Sequence, residues 1–445
     1  MRFFLNKQWL LFVLLSLFVL LTRFWNLDYP NQSYFDEVYH LPAVRLIANN
    51  DVRSYEWWHG PIEEVGNNIN NHDWLHPPLA KLIQASFINL FGDNAFNWRF
   101  PSALFGIGVI FAVYLLSQQI FNQVYPSSKA QNLSLLAAFL TALSGLLLVQ
   151  SRIMMNDVFL VFWLCWGLFF LLRWNPELIF GQLKLTNKTS NINLLLSGFF
   201  FGLALATKWS ALLLLALIFS ALIFIVIRKK IWKFLPLLAF SLLLMPSLIY
   251  LFSYTQMFLQ GKGLSDFTQL HQQIFWYQTH RQEGHIYSST PLQWFLNLRP
   301  IWYWTSQNAN SYQVANIYAL ENPALHIVGI VALIYLLFVV VKKGWQSRIA
   351  KLYIVLTLTY LATWLPWIFA PRVMFYFHYL PAVPFLGLIS AEFLHSHLKP
   401  FCKLSFYSLL ALIFISFVLF LPHWTGVAVS KTWVQGLYFA IPSWQ

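Results

Sequence analysis

Two adjacent carboxylates, Asp36 and Glu37, stand in the stretch YFDEVYH. Like charges this close tend to raise the pKa of one partner. A carboxylate that stays available near neutral pH is what a general base needs to take a proton from an attacking hydroxyl. The competing reading is a helix N-cap followed by a solvated acid. Pro42 predicts a helix starting near His40 or Leu41, which leaves Asp36 early for that cap. Some forty residues on, HPPLAK supplies His76 and Lys81 around Pro77 and Pro78. The prolines read as a stiff loop-to-helix junction, and His76 as a residue lining a site. SRIMMND places Arg152 and Asp157 in a tight turn between apolar runs. Ionisable residues at such ends are functional candidates; snorkelling and helix capping are the alternatives. Lys208 interrupts two apolar runs, and Arg372 and His378 lie in PRVMFYFHYLP. Arginine grips phosphate with a fork and lysine with a point charge, although His378 also reads as a satisfied histidine in a packed helix.

The chemistry the chain lacks narrows this further. There is no GxxxxGK[ST] and no GxGxxG after a strand, so no nucleotide site is expected. Without HExxH or CxxC no metal site or other cofactor is expected, and activity should survive chelation. Cys165 and Cys402 fall in an apolar run and a basic gap, which suits neither a disulfide nor a metal.

These residues must be positioned by elements in a bilayer. Of 445 residues, 58% are hydrophobic and 10% charged, where soluble domains carry about 25% charged residues. Spans of about 20 apolar residues are predicted at Trp9–Trp25, Phe100–Phe121, Leu133–Val149, Val158–Leu172, Ile192–Ala206, Trp209–Ile227, Ile231–Phe252, Pro323–Val341, Leu352–Phe369, Val373–Phe393 and Leu404–Leu421, eleven in all. The first is too long for a cleavable signal peptide and has no small-residue cleavage site after it. The net charge of +13 comes from basic residues in short gaps rather than on a soluble face, so a nucleic-acid partner is not expected. Arg2 and Lys7, Arg228 to Lys233, Lys342 to Lys351, and Lys399 with Lys403 all fall on one side, expected to be cytoplasmic. Two long loops, 26–99 and 253–322, then lie outside, within a single transmembrane domain over 1–445. Nine of the 15 acidic residues fall in the first loop, which concentrates chemistry there. That loop also carries a stretch from Leu79 to Phe91 with helical apolar spacing, expected to lie along the interface. A transferase facing away from the cytoplasm has no nucleotide sugar to use; its donor must arrive through the membrane as a lipid phosphate. A transporter or flippase would instead carry charges at mid-span and inverted repeats; the ionisable residues here gather at one face.

FDEVYH, HPPLAK, RFPSALFG, SRIMMNDVFLVFW, GLALATKWSALL and FYFHYLPAVPFL, in this order and on this face, resemble the protein O-mannosyltransferase family of the GT-C clan over nearly the whole chain. The resemblance implies an all-α polytopic membrane bundle of the GT-C type, with two interface helices in the first external loop. It implies inverting transfer of mannose from a polyprenyl- or dolichyl-phosphate carrier to an acceptor hydroxyl, on protein Ser/Thr or on a glycan. Asp36 matches the family's catalytic acid residue and Glu37 its neighbour; Asp157 matches a second acidic position, and Lys208 and Arg372 suit the donor phosphate. Residues 253–322 are too short to hold the β-trefoil MIR domain of eukaryotic members, and STPLQWFLNLRPIWYW resembles the bacterial form of this loop. An enzyme resembling the aminoarabinose transferases of lipid A is the alternative. A bacterial cytoplasmic membrane, with the active site outside, is the expected location.

Overall fold

The computed structural model describes residues 7–58, 73–183, 188–280, 284–306 and 312–445, with the backbone of two short strands, β1 (Ile62–Glu64) and β2 (Asn67–Ile69). Arg2, Glu283 and the side chains of Glu63 and Glu64 lie outside the described residues.

The apolar runs are helices. Helix α1 (Lys7–Phe24) is followed by α2 (Glu37–Ala48) and α3 (Leu79–Phe91), which pack on each other in the first long loop. Leu41, Val44, Ile47, Ala85 and Ile88 close a small core between them and Trp98. The first long loop thus carries two helices, as expected. Helix α4 (Ala95–Phe121) starts five residues before the expected span, because the Asn94 side chain caps it by accepting from Asn97 N at 3.1 Å. The third apolar run is broken: α5 (Ser127–Ala142) stops, and Ser144 caps a short α6 (Gly145–Gln150). The break needs glycine at its start, since a Cβ on Gly145 would fall 2.6 Å from the Leu320 carbonyl oxygen. Glu321 closes it, accepting from Ser144 Oγ at 2.6 Å and Gly145 N at 3.1 Å.

Beyond α6 follow α7 (Asp157–Trp174), α8 (Lys188–Leu205), α9 (Ala211–Lys229) and α10 (Trp232–Ser253). The second long loop folds as α11 (Leu264–His280), α12 (Pro291–Phe295) and strands β3 (Ile301–Thr305), β4 (Gln313–Val314) and β5 (Asn316–Ala319). Then come α13 (Pro323–Lys343), α14 (Arg348–Trp364), α15 (Tyr376–Phe401) and α16 (Lys403–Thr425). Among the described residues nine helices are long and apolar enough to cross a membrane. The eleven expected runs are all helical, but the third is broken and the fifth is shorter, so their lengths do not establish eleven crossings. Nor is the fold purely helical: β1 pairs β2, β3 pairs β5, and β4 pairs β6 (Val429–Ser430), all antiparallel. The last ribbon fastens the segment after α16 to the second long loop, and the Trp444 indole donates to the Asn297 carbonyl at 2.7 Å.

Candidate active site

Asp36 takes the N-cap position of α2. The helix starts earlier than Pro42 suggested because a turn leads into it: Glu37 N donates to Tyr34 O at 3.1 Å and Val38 N to Phe35 O at 3.3 Å. The Asp36 side chain makes no capping hydrogen bond. It lines instead a cavity of about 670 Å³ between the two long loops and the adjoining helix ends. Burial pushes this carboxyl up to about 7; Asp73 and Asp157 add to the rise, and Lys208 and His40 oppose it.

Glu37, the expected cause of that rise, is turned away and fully buried. The Arg99 guanidinium grips it with Nε and Nη2, each at 2.9 Å, and Met154 N donates to it at 2.9 Å. The remaining Arg99 donors reach the carbonyls of Leu27, Pro30 and Gln32 at 3.2, 2.8 and 2.9 Å. One buried fork thus ties the chain before α2 to the start of α4 and to the turn before α7.

On the other flank of Asp36, one helical turn along α2, His40 Nδ1 meets the Asp73 carboxylate and Nε2 lies 2.6 Å from Gln84 Oε1. Lys81 is buried with its ammonium against the Asp73 carbonyl and 3.8 Å from the Asp73 carboxylate. Burial alone would raise Asp73; Lys81 and His40 more than offset it and hold this carboxyl well below the usual range. Of the aspartates lining the cavity, Asp36 and Asp73 are therefore of opposite character, Asp73 committed to cations and Asp36 able to exchange a proton near neutrality.

Across the cavity, Asp157 opens α7, where the helix dipole favours an anion. It receives Lys208 Nζ at 2.7 Å, and both side chains are buried. Lys208 sits in the turn between α8 and α9, with its ammonium 5.3 Å from the centroid of the Phe377 ring. His76 faces it; burial first, then the Lys208 charge, pushes its imidazole well below the ordinary histidine range, so it is neutral. Arg372 donates to Gln278 of α11 and lies 6.0 Å from the Tyr277 ring. His378 is stacked 5.9 Å from Trp294 and meets Trp367 edge-on at 4.4 Å. Behind Asp157, Lys208 and His378 a narrow cleft continues among Leu160, Leu164, Leu213, Leu214, Ala362 and Pro381, with about 20 Å³ of open space.

The structure thus gathers Asp36, His76, Asp157, Lys208, Arg372 and His378 around one cavity, and places Glu37, Lys81 and Arg152 outside its lining. Arg152 neither snorkels nor reaches the cavity. Its guanidinium gathers the carbonyls of Thr22, Arg23, Trp25 and Asn26 at 2.8 to 3.2 Å and so caps the end of α1. Three residues were missed from sequence. Asp73 stood only among the loop's acids, His40 only inside YFDEVYH and Arg99 only inside RFPSALFG. The available signals were a histidine one turn after Asp36 and an acid three residues before His76. Among the described residues no three of His, Cys, Asp and Glu are grouped so as to hold a metal ion.

Two family models match the chain. Residues 74–260 match the dolichyl-phosphate-mannose-protein mannosyltransferase model, and residues 263–444 match the C-terminal four-transmembrane region of protein-O-mannosyltransferase. A polyprenol-phosphate-mannose–protein mannosyltransferase of Corynebacterium glutamicum is 26% identical over 85% of this chain and 81% of its own length. The S. cerevisiae Pmt1-Pmt2 complex bound to the sugar donor superposes with a TM-score of 0.76 at 14% identity, over 96% of this chain and 91% of that one. ArnT from Cupriavidus metallidurans bound to undecaprenyl phosphate superposes at 0.58 and 16% identity, over 90% of this chain and 63% of that one. With the two models together spanning residues 74–444 apart from two residues between them, the chain belongs to the protein O-mannosyltransferase family.

Proposed function

We propose that this protein transfers mannose from a polyprenyl-phosphate carrier to a hydroxyl of an acceptor protein, with inversion, in a cavity facing away from the cytoplasm. Asp36 removes the acceptor hydroxyl's proton as its oxygen bonds the anomeric carbon, and the carrier phosphate leaves with the electrons of the broken C–O bond. Lys208 and Arg372 offset the charge that develops on that phosphate, and neutral His76 offers it a hydrogen bond. Asp157 holds Lys208 in place before the donor arrives. The sugar and the protein acceptor are the ones in the relatives' name. A polyprenyl-phosphate carrier is likewise the one in the relatives' name.

The observation that carries this reading is a carboxyl with a pKa of about 7 lining the same cavity as two cationic side chains. A base near the working pH combines availability with proton affinity, and such bases contribute about 10²–10⁴-fold. The test is radiolabel transfer from mannosyl- and aminoarabinosyl-phospholipids to total protein and lipid extracts, by the wild type and Asp36→Asn. Label should pass from the mannosyl donor to protein and fall by about 10²–10⁴-fold in the variant, with donor binding kept. A fully active variant removes Asp36 as base; label passing only from the aminoarabinosyl donor to lipid removes the substrates.

A further inference from the structure

Phe35, immediately before Asp36, has φ +51°, in the left-handed region that bulky side chains rarely enter. Strain of this kind persists only where surrounding structure imposes it. Here the Phe35 ring lies on that of Tyr303, centroids 3.9 Å apart and planes 16° from parallel, and meets Phe377 edge-on at 6.3 Å. Tyr303 sits where the β3–β5 register slips, between the pairs Trp302–Tyr318 and Trp304–Ile317. Such a bulge re-aims a side chain. It leaves Tyr303 buried, with its hydroxyl accepting from Gln150 Nε2 at 2.6 Å. Gln150 is itself fully buried at the end of α6. Burial raises the Tyr303 phenol, and the nearby charges of Asp36 and Asp157 raise it further. The ring therefore lies close behind Asp36 and Asp157 without lining the cavity.

We propose that Tyr303 is a positioning residue for Asp36: its stack on Phe35 holds the left-handed turn that presents the carboxylate to the cavity. The second long loop thereby sets the geometry of a base that belongs to the first. The proposal rests on Asp36 acting as the base.

Four substitutions test it, with turnover, donor KM and thermal melting measured together. Tyr303→Phe keeps the ring and should stay within about threefold of wild-type kcat. Tyr303→Leu removes the ring and should lower kcat by about 10²-fold, the scale of an ångström-sized misplacement. Its donor KM should stay put, because Lys208 and Arg372 are anchored by Asp157 and Gln278 instead. Phe35→Leu removes the stack from the other side and should copy that loss, which decides the matter if Tyr303→Leu fails to fold. In an Asp36→Asn background Tyr303→Leu should cost nothing more, since the residue acts through Asp36. The proposal is overturned by wild-type turnover in Tyr303→Leu or Phe35→Leu, by equal damage in Tyr303→Phe, or by a loss that adds to that of Asp36→Asn. A fully active Asp36→Asn overturns the base itself; an inactive one beside an active Tyr303→Leu overturns the positioning alone.

Discussion

A half-buried aspartate whose carboxyl is pushed up to about 7 leaves two signatures, one in rate and one in stability. If the ionised form is the base, kcat/KM should rise about tenfold per pH unit below about 7 and level off above it. For stability the sign is opposite to that of a salt-bridged aspartate. The folded protein binds this proton more tightly than the unfolded chain, whose aspartates titrate near 3.9. Ionisation therefore costs stability as pH rises from about 4, and the cost is complete above about 7. Asp36→Asn should melt higher than the wild type at pH 8, and the difference should vanish towards pH 4. Lys208→Ala should behave differently. It should raise the donor KM as well as lower kcat, because a phosphate contact exists before the transition state. It also leaves Asp157, across the cavity from Asp36, buried without its cation. The acidic limb of the rate profile should then move to higher pH, since Lys208 is one of the charges that hold the Asp36 pKa down. Asp36, His76 and Lys208 were legible as cavity-lining candidates because of the adjacent carboxylates in YFDEVYH, the HPPLAK stretch, and the position of Lys208 between two apolar runs. Arg152 was not, since the carbonyls it gathers lie some 130 residues away. A guanidinium at a span end looks the same whether it meets lipid phosphate or backbone.

The elements around the site are joined by buried charge rather than by loops alone. The Glu37–Arg99 fork connects α2 to α4 with both side chains fully excluded from solvent. Removing one partner of such a pair strands the other, at a typical cost of about 3–5 kcal/mol. Arg99→Ala should therefore lower the melting temperature sharply, and activity with it. Arg99→Lys, which keeps the charge but loses the fork, should fall between. A melting curve that Arg99→Ala does not move would show the pair to be dispensable. Apolar periodicity located α1, α3, α7 and α16 within a few residues, because length and composition fix a span. It missed the break between α5 and α6, which Ser144 and Glu321 make with groups distant in sequence. It also missed the β3–β5 bulge, since ribbon register depends on partners the strand itself does not announce.

At the scale of the molecule, charge and tethering agree on sidedness. Basic residues of the Arg228–Lys233 and Lys342–Lys351 gaps sit at the ends of α9, α10, α13 and α14 away from the cavity. The segment after α16 is tied by β4–β6 and Trp444 to the loop on the cavity side. A reporter active only in the cytoplasm, fused after Gln445, should stay silent; a strong signal would invert the assigned orientation. The cleft beside Lys208 has a further consequence. It is lined by apolar residues of α7, α9 and α14, and if the proposed polyprenyl-phosphate donor enters beside it, that donor is drawn from the bilayer, a two-dimensional solution in which litres do not count. The quantity that saturates the enzyme is then the mole fraction of donor in the bilayer. Reconstituted vesicles diluted with buffer should keep their rate per enzyme. The same vesicles enlarged with inert phospholipid, at unchanged bulk donor concentration, should slow in proportion to the lipid added.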